Sequence, residues 1–385
     1  MDTVSSPDPI APPDHDDDLI AWLRLVRSRR VGATTFFRLM GEHGSAEAAL
    51  GALPAIARAA GEEDYAPSSA EDAKRELAAG RAAGAQLIAY GSDAYPSALA
   101  EIPNPPPVIW ARGKTHLLHR PMVALVGARN ASSLGTRMAR RLAAGLGGHG
   151  FTCVSGLARG VDTAAHMASL DSGTVAVLAS GIDVVYPAEN ASLAEQIGTH
   201  GVLVSEQPPG LQPRARHFPQ RNRIISGLSH AVLVVEAAAR SGSLITAREA
   251  LDQGREVMAV PGHPFDARAG GCNMLIRDGA TLVRGAEDVI EDLCGDGELH
   301  FPLPLPKKDT AGNAPLVERE HSAPLPCEAE ALRAEILSRL GPSPVAEDQL
   351  IRDLEAPVKK VTPVLMELEL TGQIRRQAGG LLSLV

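Results

Sequence analysis

Aromatic residues are scarce: two Trp, four Tyr and six Phe make up 3% of 385 residues. That argues against a surface that holds its ligand mainly by stacking on many rings. The four cysteines, Cys153, Cys272, Cys294 and Cys327, stand far apart with no CxxC pair. This leaves no zinc-ribbon spacing, and a chain of this size needs no disulfide framework. Cys153 lies in a strand pattern and reads as a small core residue. Apolar runs such as Met122–Val126 and Ala231–Val235 are strand-sized, far short of the ~20 residues that span a bilayer. The chain opens on Asp2 and then Asp14 and Asp16–Asp18, the wrong charge for a signal peptide. No membrane association is expected, and the expected location is cytoplasmic. GxxxxGK[ST] and HExxH are both missing, so neither a nucleotide-triphosphate motor nor a zinc protease is expected. No metal and no cofactor is expected.

The formal net charge of −9 argues at first against a polyanionic ligand. Its distribution reverses that reading. Ile102–Val161 contains no acid, yet holds Arg112, Lys114, Arg120, Arg129, Arg137, Arg140, Arg141 and Arg159. A second acid-free stretch, Gln207–Val235, holds Arg214, Arg216, Arg221 and Arg223. The acids gather at the N-terminus, around Glu62–Asp72, and after Glu287. Long-range attraction follows local charge, so two such stretches point to an anion-binding face.

The chain divides into five segments. Residues 1–18, rich in Pro and Asp, are expected to be a disordered tail. Residues 19–100 show a helix, a short turn at Val31-Gly32 and a second helix at Phe36–Met40, expected as a small helical module of SAM or helix-hairpin-helix type. Its single turn glycine leaves DNA contact and packing equally open. Residues 101–297 alternate apolar strands (122–127, 152–155, 174–179, 202–205, 231–235, 256–260, 281–283) with helix-length segments. That alternation predicts an α/β domain, an extended Rossmann-like, doubly wound, mostly parallel sheet covered on both faces. Residues 298–327 are Pro-rich and read as a linker. Residues 328–385 show three helical segments and a two-stranded wing turning at Gly379-Gly380, a C-terminal winged-helix domain. Its third helix offers Lys359 and Lys360 but also Glu367 and Glu369, so DNA and protein contact both stay open.

Ligands of doubly wound sheets bind beyond the carboxyl ends of the strands. The unusual residues of this chain fall there. The first strand ends in Gly127-Ala128-Arg129-Asn130, then Ser132 and Ser133: a glycine for close approach, a guanidinium fork for phosphate, and hydroxyls to cap a helix or bind an anion. The run is not GxGxxG and no acid follows at ribose distance, so a dinucleotide is not expected. The second strand ends in Ser155-Gly156-Leu157-Ala158-Arg159-Gly160-Val161-Asp162. Asp162 reads as a helix-start cap, and His166 as a packed histidine in preference to a catalyst. The third strand ends in Ser180-Gly181, with Tyr186-Pro187 closing the turn. Next comes Phe218-Pro219-Gln220-Arg221-Asn222-Arg223, where Phe218 suits either base stacking or a hydrophobic staple. Arg221 and Arg223 cannot share a helical face, so one should meet the ligand and the other the sheet edge or Glu236. Finally Arg240-Ser241-Gly242-Ser243 leads into a helix whose free N–H groups would cradle a phosphate. No Ser–His–acid set assembles from the spacing, and no catalytic residue is expected. Phosphate contacts without a catalyst predict binding that is sequence-independent and salt-sensitive.

Several of these motifs closely resemble the DNA-processing protein A (DprA/Smf) family: Val126–Arg129, Ser155–Asp162, Phe218–Ser229, Ser241–Ala247, Gln253–Arg255, Val260–Gly262 and Gly271–Asn273. The resemblance covers about residues 85–293. It implies a protein that binds incoming single-stranded DNA in natural transformation and loads the RecA recombinase onto it. It also implies a homodimer formed through the Rossmann-like domain. It makes Arg129 a principal phosphate contact, with Phe218 and Arg221–Arg223 in the same pocket. Ala128 and Cys272 stand where the family often has Ser or Thr, which weakens hydrogen-bonding roles at those two positions. The competing reading is a nucleoside-monophosphate phosphoribohydrolase-like enzyme, whose PGGxGTxxE loop carries a catalytic acid. In the nearest segment here, Gly242–Arg248, an arginine takes the place of that acid.

Overall fold

The computed structural model describes residues 11–294, 326–354, 356–377 and 380–384. Most of the expected linker, part of the expected tail, and Gly379 in the wing turn lie outside the described residues. Four helices come first: α1 (Asp16–Arg27), α2 (Ala33–His43), α3 (Ala46–Ala59) and α4 (Ala70–Ala82). α1 begins three residues before the expected Leu19, because Asp16, Asp17 and Asp18 occupy its first turn, where carboxylates favour the helix dipole.

The main domain follows as β1 (Gln86–Ala89), α5 (Ser97–Ala100), β2 (Val108–Gly113), β3 (Met122–Val126), α6 (Ser133–Gly148), β4 (Thr152–Ser155), α7 (Val161–Ser169), β5 (Thr174–Leu178), α8 (Ala191–His200), β6 (Val202–Ser205), α9 (His217–Gly227), β7 (Ala231–Val234), α10 (Ser243–Asp252), β8 (Glu256–Ala259), α11 (Gly270–Arg277), β9 (Thr281–Leu282) and α12 (Ala286–Cys294). The nine strands form one sheet in the order β1-β2-β6-β5-β4-β3-β7-β8-β9. β3 to β9 pair in parallel, whereas β1–β2 and β2–β6 pair antiparallel. These two extra strands were not expected from the sequence. β1 also lies before the expected boundary at residue 100, because its Ile88 and Ala89 find core partners in the sheet and not among the helices alone.

Alternate residues of each strand serve opposite faces, as the pleat requires. Met122, Ala124 and Val126 enter one core, and Val123 and Leu125 enter the other. A third core joins the helical module to the sheet through Trp22, Leu77, Val108 and Trp110. Rings run along this seam: Trp22–Phe36 at 5.0 Å, Phe36–Phe37 at 5.4 Å, Phe37–Tyr90 at 4.8 Å and Tyr90–Tyr95 at 5.5 Å.

The C-terminal domain has its own core around Ile336, Leu350, Leu365 and Leu382. It comprises α13 (Pro326–Arg339), β10 (Val345–Ala346), α14 (Glu347–Asp353), α15 (Val358–Leu370), β11 (Ile374–Gln377) and β12 (Leu381–Leu384), with the strands ordered β10-β12-β11. α13 begins at Pro326, inside the expected linker, with proline in the first turn where its missing N–H costs nothing.

Candidate nucleic-acid interface

The strand order reverses at β3. The chain first builds outward through β4, β5 and β6, then returns to lay β7 on the other side of β3. Such a reversal opens a crevice beyond the carboxyl ends of the two strands. A cavity of about 710 Å³ lies there. Gly127, Ala128, Arg129 and Asn130 line it from the loop after β3, Phe218, Arg221 and Asn222 from α9, and Arg240, Ser241, Gly242 and Ser243 from the β7–α10 loop and the first residue of α10. A smaller hollow beside it brings together Arg129, Gly156, Arg159, Tyr186, Phe218 and Arg221.

Arg129 is exposed, because the backbone behind it is committed. Ala128 N–H donates to the Glu236 carbonyl at 2.6 Å, and its own carbonyl accepts from Val161 N–H at 3.2 Å. The Arg129 guanidinium lies over the Phe218 ring, 5.3 Å from its centroid. Among the described residues, neither Arg129 nor Arg240 has an ion-pair partner. Arg159 lies 3.4 Å from Glu189 with both side chains exposed, a pairing of small energetic weight.

The loop between β4 and α7 is held from behind by buried polar groups. Asp162 does not cap its own helix. Its carboxylate accepts from Gly156 N–H at 3.1 Å and Ala158 N–H at 3.2 Å. Arg221 donates to the carbonyls of Gly156 and, at 2.7 Å, of Val177. Its guanidinium fills the space beside Gly156, where an added Cβ would sit 2.0 Å from Nη1. Leu157 has φ of 55°, a left-handed conformation. Its N–H donates to His166 Nε2 at 3.3 Å and its carbonyl accepts from Asn190 at 2.9 Å. With Nε2 accepting, His166 Nδ1–H donates to Thr174 Oγ1 at 2.7 Å. Gly160, at φ 75°, completes the loop. Burial pulls the Arg221 guanidinium down to about 10, so it stays charged at neutral pH. Burial raises the Asp162 carboxyl, against the opposing pull of Arg221, and lowers the His166 imidazole to about 3.

Several expected binding residues have other work. Ser132 is buried as the N-cap of α6, accepting from Gly135 N–H at 3.0 Å and donating to Glu236. Glu236 takes its partners from Ser132 and not from either α9 arginine, and burial raises its carboxyl. Gly127 lines the cavity, but its lack of a side chain serves packing: an added Cβ would meet Val161 Cγ2 at 2.6 Å. Gly181 lies outside the cleft, where its N–H donates to the Leu211 carbonyl at 2.9 Å. Arg223 points away, pairing with Glu206 and donating to the Asn104 carbonyl. Arg27 also donates to the Glu206 carbonyl at 3.0 Å, so this pair belongs to the seam with the helical module. Arg221 is buried and bound to carbonyls, so neither α9 arginine offers a free fork. The cradle at α10 differs as well, because the turn closes on itself. Leu244 N–H donates to Ser241 O at 3.1 Å and Ile245 N–H to Gly242 O at 3.1 Å. Ser241 and Ser243 line the cavity with their hydroxyls 2.7 Å apart.

Arg240, Asn130 and Arg268 line the cleft without having been singled out as binding residues. Arg240 directly precedes Ser241, and that adjacency was the available signal. Arg268 is remote in sequence. It pairs with Asp266 at 3.2 Å and donates to the carbonyls of Ser338 and Leu340 in the C-terminal domain. Among the described residues no cluster of His, Cys, Asp and Glu is suited to a metal ion, and no helix is long and apolar enough to cross a membrane.

Residues 86–294 match the family described as DNA recombination-mediator protein A. Residues 16–79 match a DprA-like N-terminal HHH domain and residues 320–380 a DprA winged helix domain. The chain is similar to DNA processing protein DprA of Bacillus subtilis, 45% identical over 222 residues, covering 57% of this chain and 75% of that one. It is also similar to Protein Smf of Escherichia coli, 40% identical over 297 residues and 76% of each chain. Among solved structures, DprA of Streptococcus pneumoniae superposes with a TM-score of 0.55 at 40% identity, covering 60% of this chain and 79% of that one. DNA processing protein A of Helicobacter pylori, solved to explain its single-stranded DNA binding mode, superposes at 0.51 with 28% identity, covering 55% of this chain and 98% of that one. A helical module, a nine-stranded α/β domain and a winged helix, matched in that order, place this chain in the DNA processing protein A (DprA/Smf) family.

Proposed function

We propose that the protein binds single-stranded DNA in the β3/β7 cleft, chiefly through its phosphates, and passes the strand to the RecA recombinase during transformation or recombination. The observation that carries this reading is the division of charge in the cleft. Asp162, the acid that lines it, and Glu236 at the start of the β7–α10 loop are buried and engaged by backbone N–H groups and Ser132. Arg129 and Arg240 stand exposed. A flexible polyanion meets cations there without facing an open carboxylate. The relative from Helicobacter pylori, with its single-stranded DNA binding mode, supports the choice of ligand. The family's description as a recombination mediator supports the partner. A homodimer formed through the α/β domain completes the reading, and exposed Leu251 of α10 and Leu282 of β9 supply apolar surface for it.

The protein acts as a binder and not as a phosphoribohydrolase. This is supported by Arg248 at the position of the hydrolase acid and by the hydrogen bonds that occupy both buried carboxylates. Prolonged incubation with nucleoside monophosphates should release no free base; release would revive the enzymatic reading.

A salt titration of single- and double-stranded DNA binding by the full chain tests the proposal. Single strands should be preferred, with a steep loss of affinity as salt rises. Arg129→Ala should weaken binding and lower the slope of log K against log salt by about 0.7 for each phosphate that Arg129 neutralises. Equal affinity for duplex, or no salt dependence, overturns it.

A further inference from the structure

The structure assigns a base-stacking role to Tyr186, a residue outside the set of candidate contacts. This inference rests on the single-stranded DNA reading above and adds the element that would hold a base as well as a phosphate.

The rings of this protein are few, and most are committed elsewhere. Trp22, Phe36, Phe37, Tyr90 and Tyr95 form the seam between helical module and sheet, and Trp110 is fully buried. At the carboxyl edge of the sheet, Phe218 is the ring for which the sequence left base stacking and a hydrophobic staple both open. It is half-buried and already has neighbours, with the Arg129 guanidinium over its face and Tyr186 against it at 5.8 Å between centroids. Tyr186 forms the outer end of this row. It is 49% exposed and lines the hollow that also contains Arg129 and Arg159. The free aromatic surface beside the two exposed guanidinium groups therefore belongs to Tyr186, and Phe218 serves as its backing.

The segment carrying Tyr186 is ordered before any ligand arrives. Val184 N–H donates to the Gly181 carbonyl at 3.0 Å, and the Ser180 hydroxyl donates to the Val184 carbonyl. Asp183 accepts from Gly210 N–H at 2.7 Å, and Asn190 N–H donates to the Pro187 carbonyl at 3.1 Å. Gly181 thus has a role despite lying outside the cleft: it helps to fix the loop that presents the ring. A ring held in place loses little conformational freedom when a base settles on it. Every base has a π face, so the contact adds affinity without sequence preference. Phosphates at Arg129 and Arg159 with a base on Tyr186 fit a single strand and exclude a duplex, whose bases are stacked on one another.

The test compares full-length protein variants on oligothymidylate and on an abasic strand of equal length. Tyr186→Leu keeps apolar bulk against Phe218 and removes the π face. It should weaken oligothymidylate binding by about tenfold, while Tyr186→Phe stays within about twofold of the parent, as expected for one stacked base. Neither change should alter binding to the abasic strand. Arg129→Ala, by contrast, should weaken both strands and flatten the salt dependence. In Tyr186→Trp, binding of oligothymidylate should quench the new indole, since the native Trp22 and Trp110 are buried. The stacking role falls if Tyr186→Leu binds oligothymidylate like the parent. It falls equally if that variant loses both strands alike, which would make Tyr186 a support for Phe218 and Arg129. If the parent protein binds neither strand, the DNA reading itself fails.

Discussion

Two loops flank the cleft, and they are made rigid to different extents by distant groups. The β4–α7 loop is fixed by groups distant in sequence: Asp162, His166 and Asn190 hold its backbone, and Arg221 crosses from α9 to bind the Gly156 carbonyl. The β7–α10 loop is tied at its start to Ser132, Ala128 and Gly271 through Glu236 and the Ala237 carbonyl, and at its end it is fixed from within. Ser241 N–H turns back to the Ala238 carbonyl at 2.9 Å, and the Ser241 and Ser243 hydroxyls bond to each other. The first loop uses buried charge as structure and presents Arg159. The second carries one buried carboxylate, Glu236, at its start and presents Arg240 from the end that closes on itself. A motif rich in arginine and glycine is therefore not uniformly a ligand-binding surface. Half-hidden polar networks set the position of the few cations that remain exposed.

The sharpest way to break the contrast is Arg221→Ala. It leaves the Asp162 carboxylate and two carbonyls without their buried partner, so unfolding in urea should show a loss of about 3–5 kcal/mol. Arg240→Ala is the matching change on the other loop and should leave the urea midpoint near that of the parent. A loss below about 1 kcal/mol for Arg221→Ala, the scale of an exposed pair, would mean that the loop does not depend on it.

Gly156→Ala should cost about 1–3 kcal/mol, because its Cβ intrudes on the guanidinium. Combined with Arg221→Ala, it should cost less than the sum of the two changes, since the obstructing group is gone. Strict additivity would disconnect the two residues.

A smaller effect separates the loops by pH. His166 stays neutral in the folded state, with its pKa lowered by burial from 6.5 to about 3. Between those values the unfolded chain binds a proton that the folded chain does not, so this contribution is complete above pH 6.5 and is lost as pH falls. Asp162 and Glu236, raised by burial, act in the opposite sense: their contribution is present in acid and is lost as pH rises through their folded values. Comparing the parent with His166→Gln isolates the histidine. The stability difference between them should change by up to about 1.4 kcal/mol per pH unit below pH 6.5. A pH-independent difference would show that His166 is not buried neutral.

The smallest effect is expected for Arg223→Ala. Its pairing with Glu206 is partly exposed and lies on the module seam. Stability should fall by no more than about 1 kcal/mol, with single-strand affinity unchanged. A large loss of affinity would return Arg223 to the binding site.

The parallel strands were legible because each is a short run apolar on both faces, and two cores to fill demand that pattern. β1 and β2 escaped because they lie among Pro-rich connections, and only the neighbouring β6 makes antiparallel pairing possible. Among the cavity-lining residues, Arg129 and the serines of the α10 loop were legible by type and by position after a strand, and Phe218 and Asn222 by type and by position on the helix that follows β6. Ser132, Gly181 and Arg223 share those types and positions but answer to other partners. Tyr186 was visible only as the end of a turn.

The arginine-rich edge was thus set out by sequence alone. Two acid-free arginine stretches and strand-end glycines place guanidinium groups on the carboxyl side of a parallel sheet, because charge placement and strand direction are local properties. Tertiary structure decided which cations remain available. Arg221 and Arg223 differ by two positions, yet one is buried beneath Gly156 and the other faces Glu206 across the seam. Desolvation and hydrogen-bond partners come from elements far along the chain, so no local reading could have separated them.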